Sequence, residues 1–329
     1  MTTLDTDTSV TLNVIGSTHL RVPAVCFGTS AIGSMPATYG YPVTEPQAVE
    51  TLMGVLGSTA PFLDTSRNYG DGKSEARIGL ALKELGGLPK GAVISTKLDR
   101  DMATGRFDAG RARQSLEESL AAMGIERVQL LFLHDPEHSA SLDEIVNSGG
   151  AMDELIKMKE EGLATAIGLA AGDVEMMLPV LKDFELDAVI THNRYTLLNR
   201  NAQPLLDLAA EKNLAVLNAA PYGSGVLVQG SSACPRYAYQ QADEQLLERV
   251  RAIEVIADKY KVPLGAIALQ FSMRHPVIAS TICGITKRER IAQTIEWSSL
   301  ELPESLWSDI EKLPFGMSNP EANRAYSHG

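Results

Sequence analysis

Eight short apolar runs alternate with longer helical patterns along this chain, and this alternation limits the possible fold more than any other feature. The runs are mostly apolar on both faces, which is typical of strands covered by helices. They span residues 24–27, 62–64, 92–96, 128–133, 164–168, 188–191, 215–218 and 280–283. Repeated alternation of strand and helix predicts a parallel sheet. Eight such units favour an α/β fold of the closed (β/α)8 TIM barrel type over an open sheet.

The segments between the runs carry signals for the start and end of helices. Thr44 is a good N-cap for the first helix, and Gly86 is a good stop for the second. The predicted helices span residues 45–58, 74–85, 111–122, 152–161, 173–182, 204–212, 243–260 and 287–297. Two extra helices, residues 262–275 and 303–312, are predicted towards the C-terminus.

Two further segments complete the predicted organisation. Residues 9–21, with a turn at Gly16-Ser17, predict a β-hairpin ahead of the first barrel strand. Residues 221–242 form a long interval after the seventh strand, and loops of this length are usually functional or disordered. Because no stretch has the composition of a linker, we expect residues 1–329 to form a single barrel domain.

Composition excludes several classes of partner. The chain has 41 acidic and 29 basic residues, so its formal net charge is −12. This excess of acid disfavours nucleic acid and anionic lipid as main partners. The three cysteines are too few and too scattered for a disulfide framework or a zinc site. The acidic, polar start does not resemble a signal peptide, and no apolar run approaches the ~18 residues of a membrane helix. We expect a cytoplasmic protein without a metal, and its oligomeric state remains open.

Polar side chains stand where three of the predicted strands end. Asp64 ends the second strand, with Tyr69 shortly after it, Lys97 ends the third and His134 follows the fourth. The carboxyl ends of barrel strands meet at one rim, where barrel enzymes carry their active sites. We therefore expect a carboxylate, a phenol, an amine and an imidazole to converge there.

These four groups form a usable set for proton transfer. The pKa of a free tyrosine is about 10, and a nearby ammonium is expected to lower it. Asp64 would hold Lys97 in place, and His134 would orient a substrate oxygen or relay a proton. Tyr69 would donate a proton to a carbonyl under reduction, or accept one from an alcohol under oxidation. The hydride must come from a cofactor, because no side chain supplies one.

Several segments resemble the aldo-keto reductase superfamily over roughly residues 13–297. The similar segments are NVIGSTHLRVPAVCFGTSAIG, LDTSRNYGDGKSEARIG, ISTKL and LFLHDPE. The resemblance implies a catalytic tetrad of Asp64, Tyr69, Lys97 and His134 beside a bound nicotinamide. The segments LHDPE and NRYTLLNR are most similar to a bacterial branch that holds D-threo-aldose (L-fucose) dehydrogenases, galactose dehydrogenases and pyridoxal 4-dehydrogenase.

The chain departs from the family pattern around the nicotinamide. Ala170 and Ala171 stand where the family often has Ser-Asn, and Ala219 stands where it often has a stacked tyrosine. Tyr222, three residues on, is a candidate replacement for that tyrosine. The resemblance also implies that Asn193 contacts the nicotinamide amide.

The segment GITKRERI follows the last predicted strand and opens a helix. Gly284 lets the backbone approach a ligand closely, and N–H groups at a helix start favour a phosphate. Lys287, Arg288 and Arg290 add local positive charge. By family position, Arg290 and Lys287 would meet an adenosine 2′-phosphate. These two cations favour NADP as the cofactor. NAD stays open, because aldose-oxidising relatives often accept it.

We therefore predict an NAD(P)-dependent oxidoreductase acting on a small polar carbonyl or alcohol substrate, with a sugar as the first choice. The nearest alternative is a broad aldehyde or ketone reductase. Two other classes stay open, a barrel lyase with Lys97 as a Schiff base and a non-catalytic nicotinamide-sensing subunit. His192 also lies at the expected rim, and a structural role for it is as consistent with the sequence as a ligand contact.

Overall fold

A computed structural model describes residues 10–324 and contains a closed barrel of eight parallel strands. The strands of this range are β1 (Leu12–Val14), β2 (Arg21–Pro23), β3 (Val25–Gly28), β4 (Phe62–Asp64), β5 (Val93–Leu98), β6 (Val128–His134), β7 (Ala164–Ala170), β8 (Ala188–His192), β9 (Ala215–Ala219), β10 (Arg236–Tyr237), β11 (Gln240–Gln241) and β12 (Ile278–Gly284). Around the barrel the order is β12-β3-β4-β5-β6-β7-β8-β9. The predicted TIM barrel is confirmed, and every predicted barrel strand lies within two residues of its observed ends.

Helices connect the barrel strands and cover their outer faces. They are α1 (Pro36–Tyr39), α2 (Glu45–Leu56), α3 (Lys73–Leu85), α4 (Ala109–Met123), α5 (Asp143–Val146), α6 (Ala151–Glu160), α7 (Val174–Asp183), α8 (Gln203–Lys212), α9 (Val226–Gln229), α10 (Glu244–Tyr260), α11 (Leu264–Met273), α12 (Glu289–Ser299) and α13 (Glu304–Ile310). The predicted helices agree with these bounds to within two residues. Within residues 10–324, no helix is both long enough and apolar enough to cross a membrane.

Local capping explains why the helix ends were readable from the sequence. The Thr44 hydroxyl accepts a hydrogen bond from the Gln47 N–H at the start of α2. Asp108 caps α4 in the same way by accepting from Arg111 N at 2.8 Å. These side chains satisfy backbone donors that the first helical turn leaves unpaired.

The hairpin β1–β2 closes the amino-terminal end of the barrel. Its strands pair antiparallel, with Leu12 opposite Pro23. Ile15 and Val22 are fully buried and belong to the same apolar cluster as the inward-facing barrel residues. The hairpin prediction is confirmed for the described residues, whereas Ser9 lies outside them, as do the other residues of the chain termini. The carboxyl rim at the opposite end carries the predicted site residues.

The interval at residues 221–242 is folded rather than an extended loop. It contains a short 3-10 turn, helix α9 and the two-stranded ribbon β10–β11. Val226, Leu227 and Tyr237 are buried in a cluster that also contains Trp307 of α13. These apolar residues pack the interval against the C-terminal helices, and this packing keeps it folded.

Candidate active site

A buried ion pair joins the ends of β4 and β5. Lys97 Nζ lies 2.8 Å from Asp64 Oδ2, and both side chains are almost completely buried. The Ser95 hydroxyl donates a hydrogen bond to the other oxygen of Asp64, Oδ1, at 2.9 Å. Besides its contact with Asp64, the Lys97 ammonium donates a hydrogen bond to the Thr65 carbonyl at 2.6 Å. Barrel pairing aligns Asp64 with Ser95, so the backbone register itself sets this contact. The pair forms a rigid polar floor at the carboxyl rim.

Tyr69 lies above this floor, on the loop between β4 and α3. Its ring centroid is 4.9 Å from Lys97 Nζ and 5.9 Å from the His134 ring centroid, with the two rings nearly perpendicular. Gly70 has φ +63°, and a Cβ there would lie 2.1 Å from the Gly33 carbonyl oxygen. Only glycine permits this close approach, which fixes the backbone that presents Tyr69.

The electrostatic setting of Tyr69 differs from the expectation. Burial raises the pKa of the Tyr69 phenol well above 10, and the negative charge of Asp64 adds to this rise. The prediction of a lowered pKa for Tyr69 is wrong. The reason is that Asp64 sits against the ammonium and largely offsets its charge, while burial disfavours the phenolate.

His134 lies at the end of β6 between two carboxylates. Its Nδ1 is 2.6 Å from Asp99 Oδ1, and its Nε2 is 3.5 Å from Asp135 Oδ2. Burial alone would lower the pKa of His134, but the charges of Asp135 and Asp99 outweigh burial and raise it. The structure therefore brings the imidazole to the same rim as Tyr69 and favours its protonated form.

Asp99 was missed by the sequence analysis. It follows β5 and is only 2% exposed. Its Oδ2 accepts hydrogen bonds from the Ser66 hydroxyl at 2.5 Å and from the Asn68 N–H at 2.9 Å. Lys97 and Asp99 are two residues apart, and such residues point to one face of a strand. That spacing is the signal that could have identified Asp99.

Two tyrosines outside the predicted set lie near the phenol of Tyr69. Tyr39 and Tyr239 both contribute to its raised pKa, so they lie within electrostatic range of it. Their rings meet edge to face with centroids 6.2 Å apart, and the Tyr39 hydroxyl donates to Ser30 Oγ at 2.8 Å. They add an aromatic wall to the rim.

Glu321, in the segment after α13, contacts the last residue of β8 and the residues that follow it. Glu321 is 4% exposed, and its Oε1 lies 3.1 Å from His192 Nε2 and 3.0 Å from the guanidinium of Arg194. The Asn193 amide donates to the same oxygen at 3.1 Å. His192 therefore has an ionic partner of its own. The Asn193 Oδ1 is buried and has no hydrogen-bond partner among residues 10–324.

The basic residues of the GITKRERI segment lie around the start of α12. Lys287, Arg288 and Arg290 are exposed, and Arg288 forms a long surface pair with Glu50 at 3.7 Å. A Cβ built on Gly284 would meet no atom within 4 Å. The segment thus combines open space over the backbone with local positive charge, which suits an anionic group.

Tyr222 is not brought together with the four rim residues. Its hydroxyl lies 3.7 Å from Cys283 Sγ, and its ring meets Trp297 of α12 edge to face at 6.4 Å. Burial raises the pKa of this phenol. Tyr222 therefore packs between β12 and α12, and a stacking contact with nicotinamide stays a prediction.

Comparisons with known proteins agree with this geometry. The model of the aldo/keto reductase family matches residues 24–314. The chain is 26% identical to pyridoxal 4-dehydrogenase from Microbacterium luteolum, covering 90% of this chain and 95% of the relative. It is 28% identical to D-threo-aldose 1-dehydrogenase from Pseudomonas sp, with coverages of 88% and 94%. It is also 28% identical to L-galactose dehydrogenase from Arabidopsis thaliana, with coverages of 93% and 95%.

The match extends over most of the chain and includes the strands that carry the rim residues. These relatives are dehydrogenases, and the family's enzymes use nicotinamide cofactors on small-molecule carbonyl or alcohol substrates. The chain belongs to the aldo/keto reductase family and is an NAD(P)-dependent oxidoreductase acting on CH–OH or C=O groups.

Proposed function

We propose that the enzyme transfers hydride between a nicotinamide cofactor and the anomeric carbon of a small sugar, with Tyr69 as the acid or base. The observation that carries this proposal is the position of Tyr69 at the rim, with Lys97 Nζ 4.9 Å and the His134 ring centroid 5.9 Å from its ring centroid. Two relatives named as acting on sugars, an aldose and L-galactose, support the choice of substrate.

Each member of the predicted tetrad has a distinct role in this proposal. Asp64 holds Lys97 through the buried ion pair. Lys97 orients the phenol of Tyr69 and stabilises negative charge that develops on it. Tyr69 gives its proton to the carbonyl oxygen under reduction and takes it back under oxidation. His134 donates a hydrogen bond to the same oxygen. Positioned proton transfer of this kind contributes roughly 10²–10⁴-fold in rate.

When bound, the nicotinamide supplies or accepts the hydride. The residues of this chain fit such a cofactor at two points. The unpaired Asn193 Oδ1 offers an acceptor for an amide N–H, which would satisfy a buried group that otherwise lacks a partner. The start of α12 offers backbone N–H groups and the side chains of Lys287 and Arg290 for a phosphate. These two cations favour NADP over NAD.

The raised pKa of Tyr69 bears on the direction of the reaction. A phenol that stays protonated at neutral pH is ready to act as an acid. Carbonyl reduction can use this proton directly, whereas oxidation of an alcohol first needs the phenol to lose its proton, which higher pH or the positive charge of an oxidised nicotinamide would promote. We therefore expect oxidation of a sugar to become faster as pH rises.

A substrate and cofactor panel tests the proposal. The purified enzyme is given D-threo-aldoses and L-galactose with NAD⁺ or NADP⁺, pyridoxal with both cofactors, and simple aldehydes with NADPH. The proposal expects the highest kcat/KM with a sugar. Higher values with unsubstituted aldehydes would instead identify a broad aldehyde reductase, for which the aromatic wall of Tyr39 and Tyr239 would suit an apolar substrate.

The lyase alternative does not fit the surroundings of Lys97. Two of the three ammonium N–H groups are used by Asp64 and the Thr65 carbonyl, so the amine is not presented as a free nucleophile. Borohydride treatment in the presence of sugar should leave Lys97 unmodified.

A further inference from the structure

The carboxylate of Asp99 is buried and fully engaged behind His134. One oxygen lies 2.6 Å from His134 Nδ1, and the other accepts from the Ser66 hydroxyl and the Asn68 N–H. The backbone of Asp99 is held as well, because its N–H donates to Ser115 Oγ at 2.9 Å. The side chain is anchored on both sides and cannot turn away without leaving several donors unpaired.

The geometry of this contact determines which ring nitrogen faces the site. A carboxylate at 2.6 Å requires a proton on Nδ1, since an ionised carboxylate only accepts hydrogen bonds. The remaining ring nitrogen, Nε2, lies 3.5 Å from Asp135 Oδ2, which is longer than a normal hydrogen bond, so its proton is available to a substrate oxygen. The His134 and Tyr69 rings are nearly perpendicular, with centroids 5.9 Å apart, so the imidazole and the phenol border the same part of the rim.

Charge decides whether Nε2 also carries a proton. An isolated ionised carboxylate is costly to bury, and an imidazolium in direct contact offsets that cost. Burial of the imidazolium also has a cost, but the two carboxylates that face the ring outweigh it. The other charged or titratable groups near the ring are Asp135, Lys97, Tyr69 and His138. Lys97 disfavours the cation, but Asp64 offsets its charge at 2.8 Å.

We propose that Asp99 is a positioning residue that holds His134 as an imidazolium and leaves its Nε2–H as a charged donor for the substrate oxygen. This inference rests on the proposed function of the same site. In reduction, the hydride pair adds to the carbonyl carbon, the C=O π pair moves onto oxygen, and Tyr69 supplies the proton to that oxygen. His134 keeps its proton and stabilises the developing negative charge. Asp99 acts only through His134.

The titration of His134 tests the proposal without any substrate. The chain has six histidines, so the ring signals can be resolved by NMR, and the His134→Gln variant identifies the signal of His134. In the wild type we expect a midpoint above the ordinary value of about 6.5. A midpoint at or below that value overturns the proposal, whatever the substrate of the enzyme proves to be.

Three variants separate charge from structure. Asp99→Asn should lower the His134 midpoint by about 1–3 pH units, the usual effect of removing an opposite charge in contact. Ser115→Ala removes the acceptor of the Asp99 backbone N–H, at 2.9 Å, but no charge. Asp101→Asn makes the same charge change on the same loop, where the carboxylate accepts from Ala103 and Thr104 rather than from His134. Both controls should leave the midpoint near the wild-type value. A shift in the controls as large as in Asp99→Asn contradicts the proposal.

Activity provides the second readout, through a double-mutant cycle. Asp99→Asn should lower kcat for carbonyl reduction at neutral pH and restore part of it at lower pH, where the ring is protonated again. In a His134→Gln background, Asp99→Asn should have little further effect, because the group it acts through is gone. If the two substitutions lower kcat by independent factors that multiply in the double variant, and the pH profile is unchanged, then Asp99 has only a structural role. If Asp99→Asn does not fold, the wild-type titration still decides the question.

Discussion

The ammonium of Lys97 lies 2.8 Å from a carboxylate oxygen of Asp64, closer than it comes to the phenol it is expected to influence. The distance from Lys97 Nζ to the Tyr69 ring centroid is 4.9 Å. Because the charge of Lys97 is largely offset by Asp64, burial is the main influence on the pKa of Tyr69. The reactivity of Tyr69 therefore depends on the charge of the cofactor that binds beside the phenol, as well as on the other members of the tetrad.

Replacing Tyr69 with phenylalanine should lower kcat by roughly 10²–10⁴-fold, because the variant lacks the proposed proton donor. Affinity for the nicotinamide cofactor should stay close to that of the wild type, as measured by fluorescence titration. Tyr260→Phe is the matched control, since that hydroxyl donates to Asp309 at 3.0 Å and has no proposed role in the site. Wild-type turnover in Tyr69→Phe would show that another group is the acid.

Lys97→Met should destabilise the protein as well as damage turnover. Removing one partner of a buried ion pair leaves the other charge uncompensated and costs about 3–5 kcal/mol. Denaturant unfolding measures this loss. The double variant Asp64→Asn with Lys97→Met should recover part of the stability but none of the turnover. Equal stabilities for the single and double variants would mean that Asp64 finds compensation elsewhere.

The pH dependence of carbonyl reduction follows from the raised pKa of Tyr69. The acid must be protonated to act, and burial keeps its pKa well above 10. We expect kcat/KM for reduction to show no loss from Tyr69 deprotonation through neutral pH, and to lose activity from that cause only in strongly alkaline solution. An alkaline limb near pH 7 that disappears in Tyr69→Phe would refute this.

Glu75 should make the folded state less stable as pH rises. Its side chain is buried on α3, where Thr96 donates to Oε1 at 2.6 Å, and burial raises its pKa from 4.5 to about 7. A raised carboxyl pKa means that the folded state favours the neutral form. The contribution is fully present below pH 4.5 and is lost as pH rises through 7, by up to about 3 kcal/mol.

The Glu75→Gln variant checks this effect, because glutamine keeps the acceptor for Thr96 without the charge. Unfolding free energies of both proteins are measured between pH 4.5 and 8. The difference between the variant and the wild type should grow in favour of the variant with rising pH. A difference that stays constant over this range would mean that Glu75 has an ordinary pKa.

Lys287→Ala and Arg290→Ala test the preference for NADP. A hydrogen bond to a charged group contributes about 1.5–3 kcal/mol, so each variant should weaken NADP⁺ binding by roughly 10–100-fold. The Kd for NAD⁺, which lacks the 2′-phosphate, should change little. Arg251→Ala, at an exposed arginine paired with Glu244, controls for the loss of positive charge elsewhere. Equal losses for both cofactors would assign these side chains to a phosphate that the cofactors share.

The sequence was most informative where a signal is local. Apolar runs of strand length and caps such as Thr44 predicted the elements to within two residues, because both depend on neighbours along the chain. The position of Asp64 and Lys97 at strand ends was readable for the same reason, since a polar residue directly after a buried strand must lie at a rim. Family membership followed from motifs of this local kind. The catalytic roles and the extent of the domain stay predictions.

Other features depend on barrel closure, which joins residues far apart in the sequence. Asp99 meets His134 because β5 pairs with β6, and nothing local in either segment specifies that contact. The pKa of Tyr69 is raised rather than lowered because the phenol is buried, and burial is determined by tertiary packing. Tyr222 lies close in sequence to the expected stacking position, yet its ring packs against Trp297 of α12. Sequence alone determined that Asp64, Lys97 and His134 lie at the ends of barrel strands. The tertiary structure decided which of them touch, and therefore which carry charge, because electrostatic energies depend on distances of a few ångströms and on the exclusion of water.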